Sequence, residues 1–138
     1  TEMITAVDTN VLLDILAPDA VFGPASADAI RVSMAQGSLV ACEIVWAELV
    51  PHFASPGATR AAMARLDLEF SVVTEESALE AGRLWSEHRK RGGSRSRLVP
   101  DFLIGAHALH QADRLLSRDR GFYRTYFKRL SVLDPGTR

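Results

Sequence analysis

Short apolar segments alternate with longer segments of helical composition along this chain. The apolar segments have strand length and fall at residues 4–7, 39–42, 70–73, 114–117 and 130–133. The helical segments lie between them, at residues 9–16, 25–35, 43–53, 59–68, 75–91 and 100–113. This alternation predicts an α/β protein with three layers, α/β/α, around a mainly parallel central sheet. No long linker divides the chain, so we expect residues 1–138 to form a single domain.

Asp8 interrupts this pattern. It stands between the strand predicted at 4–7 and the helix predicted at 9–16, which Thr9 or Asn10 is expected to cap. Burying an unpaired carboxylate costs several kcal/mol, roughly, so another group must neutralise the charge. Because functional residues gather at the carboxyl ends of parallel strands, we expect Asp8 to belong to a functional site.

Three further acids stand where a purely structural role explains them poorly. Glu48 lies on a mostly apolar helical face, so we expect it to be at least partly shielded from solvent. Asp101 opens a helix whose face continues through small residues such as Gly105, which would allow close packing and carry Asp101 inward. Asp119 follows the strand predicted at 114–117. Taken singly, each acid has a structural explanation; taken together with Asp8, they favour a shared cluster.

A cluster of carboxylates requires a cation, because like charges raise one another's pKa and destabilise the fold. Oxygen ligands without a Cys or His set favour Mg²⁺ or Mn²⁺ over zinc. Such a site typically activates water for attack on a phosphodiester. His107 and His110 are three residues apart on one helix, but no third soft ligand lies nearby in sequence, so we interpret them as ordinary histidines.

Composition narrows the class of protein further. Apolar residues make up 47% and charged residues 24% of the chain, which is ordinary for a globular protein. Every apolar run is shorter than the roughly 18 residues of a membrane span, so we expect no membrane insertion. The single cysteine, Cys42, excludes an internal disulfide, and we expect a buried thiol in a cytoplasmic protein.

Four motifs resemble those of the PIN domains, particularly the VapC-type toxins of bacterial toxin–antitoxin pairs. They are VDTNVLLD at 7–14, WAEL at 46–49, PDFLIGAHAL at 100–109 and LLSRDRGF at 115–122. The motifs occur in the family's order and spacing and span nearly the whole chain. The resemblance implies a PIN-like α/β/α fold and a metal-dependent endoribonuclease that cleaves RNA phosphodiester bonds with metal-activated water.

The resemblance also implies the site residues and the partners. The catalytic acids would be Asp8, Glu48, Asp101 and Asp119. Asp8, Asp101 and Asp119 would bind Mg²⁺, with Mn²⁺ as a substitute, while Asn10 and Ser117 would orient carboxylates or water. Expected partners are an RNA substrate, a VapB-type antitoxin whose tail occludes the cleft, and a second copy in a homodimer. One departure is Gly121, where some relatives carry another acid, so the number of metal ions stays open.

The net charge of −1 conceals a basic segment whose role has two interpretations. Its candidate substrate-binding residues are Arg89, Lys90, Arg91, Arg95 and Arg97. These residues would bind RNA phosphates or, equally, an acidic segment of a partner protein. Asp14 shares the first motif with Asp8, and we interpret it as exposed or structural.

Other functions make different demands on the sequence. A haloacid-dehalogenase-type phosphatase requires an aspartate two residues after the first one, and this chain has Asn10 there. The glycine patterns of P-loop and dinucleotide-binding folds do not occur in the sequence. The remaining alternative is a catalytically degenerate PIN module that binds RNA or protein. The intact quartet of acids argues against this alternative.

Overall fold

Five parallel strands form the central sheet of the computed structural model, which describes residues 2–17, 19–93 and 99–136. The strands are β1 (Met3–Val7), β2 (Gly37–Ala41), β3 (Leu68–Phe70), β4 (Arg114–Leu116) and β5 (Val132–Leu133). Their spatial order is β3-β2-β1-β4-β5, and every neighbouring pair is parallel. The α/β fold expected from the sequence is confirmed, and the described sheet is entirely parallel.

Helices connect the strands and cover the sheet. They are α1 (Thr9–Leu16), α2 (Gly23–Gln36), α3 (Glu43–Leu49), α4 (Pro56–Arg65), α5 (Glu75–Lys90), α6 (Val99–Gln111) and α7 (Arg120–Tyr126). A 3₁₀ turn, Val50–His52, follows α3, so the backbone becomes irregular at Pro51 as expected. Within the described residues, no helix is both long and apolar enough to cross a membrane.

The sequence pattern did not predict α7. Its segment contains Gly121, aromatic residues and a threonine, all of which have modest or poor helix propensity. The helix is stabilised instead by burying Phe122 and Tyr123 against the rest of the molecule. This short helix therefore depends on tertiary packing and carries Tyr123 toward the sheet.

The strand order reverses at β1, which has β2 on one side and β4 on the other. The parallel pairing of β1 with β4 runs to Val7 and Leu116. It continues through a hydrogen bond of 2.9 Å from the Asp8 backbone N–H to the Leu116 carbonyl. In open α/β sheets, a crevice forms outside the carboxyl ends of the strands at such a reversal. Asp8 and the residues after β4 therefore lie at the position where this topology favours a site.

Close packing of α6 explains the small residues on its face. Gly105 and Ala108 are buried, as is Phe102, one residue after Asp101. A Cβ atom added at Gly105 would lie 2.5–2.9 Å from ring carbons of Phe127. Only glycine therefore allows this approach between α6 and the end of α7, and the expected close contact of this helical face is observed.

Candidate functional site

Asp8 is the most buried acid at the carboxyl edge of the sheet, with 6% of its surface exposed. Its Oδ1 accepts a hydrogen bond of 2.8 Å from the backbone N–H of Thr9. Its Oδ2 accepts two more, from the hydroxyl of Ser117 at 2.8 Å and that of Tyr123 at 2.9 Å. The prediction that Thr9 or Asn10 caps α1 is wrong, because Asp8 caps this helix. Three donors from three parts of the chain thus fix the orientation of this carboxylate.

The environment of Asp8 changes its acidity. Burial raises the pKa of Asp8, and the three hydrogen bonds lower it. Burial has the larger effect, so the pKa rises from 3.8 to about 6. The negative charge of Glu48 raises it further. Asp8 is therefore mostly ionised at neutral pH but gains a proton far more readily than an exposed aspartate. A nearby cation would reverse this effect by stabilising the ionised form.

Ser117 connects Asp8 to the loop that carries Asp119. Its hydroxyl donates to Asp8 and accepts a hydrogen bond of 2.9 Å from the backbone N–H of Asp119. The side-chain oxygen of Asn10 accepts from the backbone N–H of Arg118 at 3.2 Å, while its amide makes a long contact of 3.5 Å with the Ser117 hydroxyl. Asn10 and Ser117 therefore lie where the resemblance placed them, and their role in catalysis stays a prediction.

The other three acids surround Asp8. Glu48 is exposed and accepts a hydrogen bond of 2.6 Å from the Thr9 hydroxyl, so the expectation that it is shielded is wrong. Its side chain leaves the apolar face of α3 at the open edge of the crevice. Asp101 and Asp119 are half-buried at the starts of α6 and α7.

The acids act electrostatically on two buried groups, Tyr123 and Asp8. The negative charges of Asp8, Asp101 and Asp119 all raise the pKa of the Tyr123 hydroxyl, which burial raises most strongly. Glu48 acts in the same way on Asp8. The negative charges of Asp101 and Asp119 thus reach Tyr123, and that of Glu48 reaches Asp8, although the four predicted acids come from four separate parts of the sequence. Tyr123 is the functional candidate that the sequence did not indicate, because it lies on the unpredicted helix α7.

The donor set fits a hard divalent cation. All four acids offer carboxylate oxygens, the ligands that Mg²⁺ and Mn²⁺ prefer. Within residues 2–17, 19–93 and 99–136, no three His, Cys, Asp or Glu side chains are already arranged to hold a metal ion. Mg²⁺ does not need such a cage, since it is usually bound through one or two carboxylates and retains several waters. Asp8, Asp101 and Asp119 remain the candidate ligands.

Arg118 lies between Ser117 and Asp119 and has a partner that the sequence did not predict. Its Nε and Nη2 atoms donate to the two carboxylate oxygens of Asp14 at 2.7 and 3.0 Å. Asp14 is buried and also accepts a hydrogen bond of 2.7 Å from the Ser26 hydroxyl. Of the two interpretations of Asp14, the structural one is correct. Asp14 lies four residues after Asn10 on α1, and this spacing in the sequence places both side chains on one helical face.

The basic segment is only partly described. Arg89, Lys90 and Arg91 are exposed at the end of α5, and the Arg89 guanidinium lies 4.9 Å from the centre of a Trp85 ring. Arg95 and Arg97 lie outside the described residues. The exposed cations are compatible with RNA and with an acidic protein segment, so both interpretations stay open.

Two histidines and the cysteine have structural surroundings. The buried His107 contacts the Ser71 hydroxyl at 2.9 Å. His110 lies between the carboxylates of Glu76 and Glu80, with 3.1 Å to Glu76. His107 and His110 thus have separate partners, which agrees with their interpretation as ordinary histidines. Cys42 is fully buried, as expected, and burial raises the pKa of its thiol.

The chain matches a known protein family and is similar to several solved structures. A family model described as PIN domain matches residues 5–128. The fold is similar to a chain of VapBC-1 from nontypeable Haemophilus influenzae, with a TM-score of 0.75, 19% identity, and coverage of 98% of this chain and 100% of that chain. A chain of VapBC2 from Rickettsia felis, bound to a DNA fragment from their promoter, has a TM-score of 0.74 and 17% identity, covering 96% and 98%.

A third solved structure of this kind is FitAcB from Neisseria gonorrhoeae, with a TM-score of 0.67, 19% identity, and coverage of 95% of this chain and 97% of the other. At these identities the likeness concerns the fold. No curated protein matches the sequence significantly.

Proposed function

Because the chain belongs to the PIN domain family, we propose that it is a VapC-type toxin, a metal-dependent endoribonuclease restrained by a cognate antitoxin. The observation that supports the proposal is the buried carboxylate of Asp8 at the carboxyl end of β1, with Glu48, Asp101 and Asp119 acting electrostatically on it or on its partner Tyr123. Asp8 is buried there at the strand-order reversal and held by three hydrogen bonds. A protein has little structural reason to maintain such a repulsive cluster, and phosphodiester hydrolysis supplies a chemical one.

The ligands proposed for Mg²⁺, or for Mn²⁺ in its place, are Asp8, Asp101 and Asp119. Such a cation, when bound, lowers the pKa of water and stabilises charge that develops on phosphate oxygens. Ser117 and Tyr123 donate to one oxygen of Asp8 and so hold the carboxylate in one orientation. Asp8 is buried, so its carboxylate is largely shielded from bulk solvent.

Glu48 has a different environment and, we propose, a different role. It is exposed at the edge of the crevice, where its hydrogen bond to the Thr9 hydroxyl orients it. An exposed carboxylate is accessible to solvent and, in this proposal, accepts a proton from an attacking water. Catalysis by this chain thus divides between a fixed, buried carboxylate and an accessible one.

The proposed partners follow the same reasoning. The exposed cations Arg89, Lys90 and Arg91 would contact RNA phosphates, together with Arg95 and Arg97. A cognate antitoxin is supported by the likeness to chains of VapBC and FitAcB. We further propose a homodimer that acts in the cytoplasm.

The decisive experiment is cleavage of total cellular RNA by the purified protein, free of antitoxin, at low salt. Mg²⁺, Mn²⁺ and EDTA are compared for the natural sequence and for Asp101→Asn. A matched control is Asp67→Asn, the same substitution at an exposed residue with φ 55° next to β3, a conformation that asparagine tolerates well. We expect discrete fragments that require metal, persist in Asp67→Asn and vanish in Asp101→Asn.

Two other results would contradict the proposal. Cleavage that survives both EDTA and Asp101→Asn would come from a contaminating nuclease. RNA binding without cleavage under any metal would favour the degenerate binding module.

A further inference from the structure

An exposed aromatic ring lies directly beside the loop that carries Ser117 and Asp119. Phe22, in the connection between α1 and α2, leaves 42% of its surface exposed, and its neighbour Val21 leaves 77%. The guanidinium carbon of Arg118 lies 3.9 Å from the centre of the Phe22 ring. One side of the ring is therefore covered by a cation, and a large part of the ring remains open to solvent next to the proposed active site.

The backbone around Phe22 is held in a fixed turn. The Oδ1 atom of Asp19 accepts hydrogen bonds from the backbone N–H groups of Val21 at 2.8 Å and Phe22 at 2.9 Å. Phe22 then immediately precedes α2, which begins at Gly23. The ring is thus positioned by a local side-chain turn and by a helix start, and its binding surface exists before any ligand arrives.

The cation beneath the ring is fixed as well. Arg118 forms a two-pronged ion pair with Asp14, which is 4% exposed and is also bonded to the Ser26 hydroxyl. The Arg118 backbone N–H is bonded to Asn10. Arg118 therefore links the position of Phe22 to the loop between Ser117 and Asp119.

We propose that Phe22, supported by Arg118, is a stacking platform for a base of single-stranded RNA adjacent to the scissile phosphate. This inference rests on the proposed function. Exposed aromatic rings and guanidinium planes are the groups on which proteins stack unpaired bases.

The surroundings favour a base over a protein partner. The large exposed apolar side chains described in this turn are those of Val21 and Phe22, bordered by Asp19 and Arg118, whereas a standard protein interface buries about 800 Å² on each partner. A flat RNA base, in contrast, needs only one exposed ring face or edge for stacking. The platform would select unpaired nucleotides near the cleaved bond, because bases inside a duplex are already stacked on their neighbours.

The test measures RNA affinity in proteins that carry Asp101→Asn, so that cleavage does not interfere. Fluorescence anisotropy follows a short, labelled, mixed-sequence single-stranded RNA with Mg²⁺ present, and inorganic polyphosphate serves as a polyanion without bases. We expect Phe22→Leu to raise the Kd for RNA about fivefold or more, while the affinity for polyphosphate stays unchanged. Phe22→Tyr, which keeps the ring, should restore the affinity for RNA.

The matched control is Phe70→Leu. Phe70 is the more exposed ring, at 56%, but it lies on the edge strand β3 beside Trp46. Its replacement should leave both affinities unchanged. The inference is overturned if Phe22→Leu and Phe70→Leu have the same Kd for RNA. It is also overturned if Phe22→Leu weakens RNA and polyphosphate equally, since the effect would then be electrostatic and act through Arg118.

Two outcomes distinguish the remaining alternatives. A loss of self-association in Phe22→Leu, seen by sedimentation with unchanged RNA affinity, would assign the patch to a contact between copies and overturn the inference. If the Asp101→Asn parent binds no RNA at all, the proposed function fails and the platform fails with it. Metal-dependent cleavage by the natural sequence together with an unaffected Phe22→Leu would overturn the platform alone.

Discussion

At the scale of single residues, Asp8 combines two properties that oppose each other. Its three hydrogen bonds stabilise the ionised carboxylate, yet burial dominates and raises the pKa from 3.8 to about 6. The folded protein therefore binds a proton at Asp8 more tightly than the unfolded chain does. A metal ligand needs the opposite, the ionised form, so the metal-free fold carries an electrostatic cost that a cation would remove.

This cost predicts a pH dependence of stability. Because the pKa of Asp8 is raised in the folded state, its contribution to the free energy of unfolding is complete below pH 3.8 and is lost as pH rises through about 6. The shift of about two units corresponds to roughly 3 kcal/mol. Urea unfolding in EDTA across this pH range should show the trend in the natural sequence and much less of it in Asp8→Asn.

Other carboxylates titrate in the same range, so the informative quantity is the difference between the two proteins. Above pH 7 without metal, Asp8→Asn should have the larger free energy of unfolding. Any hydrogen bond that the amide does not form reduces this difference. Parallel stability curves for the two proteins would show that Asp8 is not perturbed by burial.

At the scale of secondary structure, Gly105 allows α6, whose first turn holds Asp101, to pack closely against Phe127, the residue after α7. Gly105→Ala places a methyl group against the buried ring of Phe127, and such overpacking typically costs about 1–3 kcal/mol. Gly82→Ala in α5 is the control, because among the described residues no heavy atom outside its own stretch of helix lies within 4 Å of the added Cβ. Alanine is the better helix former by up to about 1 kcal/mol, so this control should be stabilised.

Chemical denaturation measures both variants. Gly105→Ala should be less stable than the natural sequence and should partly recover when Phe127→Leu is added, because the smaller side chain makes room for the methyl group. Equal stabilisation of Gly105→Ala and Gly82→Ala would mean that the α6 contact is loose.

The same elements show what the sequence was able to predict. Four of the five strands and the positions of Asp8 and Asp119 after β1 and β4 follow from local patterns, whereas the strand predicted at 70–73 lies at Leu68–Phe70. The ion pair of Asp14 with Arg118 joins residues 104 positions apart, so no local pattern contains it. Tyr123 was missed because α7 exists only through its tertiary packing. The exposure of Glu48 depends on where the crevice opens, which the apolar face of α3 does not reveal.

At the scale of the whole molecule, the fold holds a repulsive group of acids at one end of its sheet, and a ligand that relieves the repulsion must stabilise the native state. Binding to the folded state adds RT ln(1 + [L]/Kd) to the free energy of unfolding, or about 2.7 kcal/mol at a hundredfold excess over Kd. In EDTA, Asp8→Asn and Asp101→Asn should melt at a higher temperature than the natural sequence, because each removes one of the repelling charges.

Added Mg²⁺ should reverse that order. Its concentration is raised at constant ionic strength, and the melting temperature of the natural sequence should climb steadily while those of Asp8→Asn and Asp101→Asn respond much less. Asp67→Asn should follow the natural sequence, since its carboxylate lies next to β3, outside the proposed site. If both site variants melt lower than the natural sequence in EDTA and respond equally to Mg²⁺, the acids do not form a shared cation site. A rise in melting temperature with Mg²⁺ that occurs only when all the acids are present would instead show that a cation bound by these acids stabilises the fold.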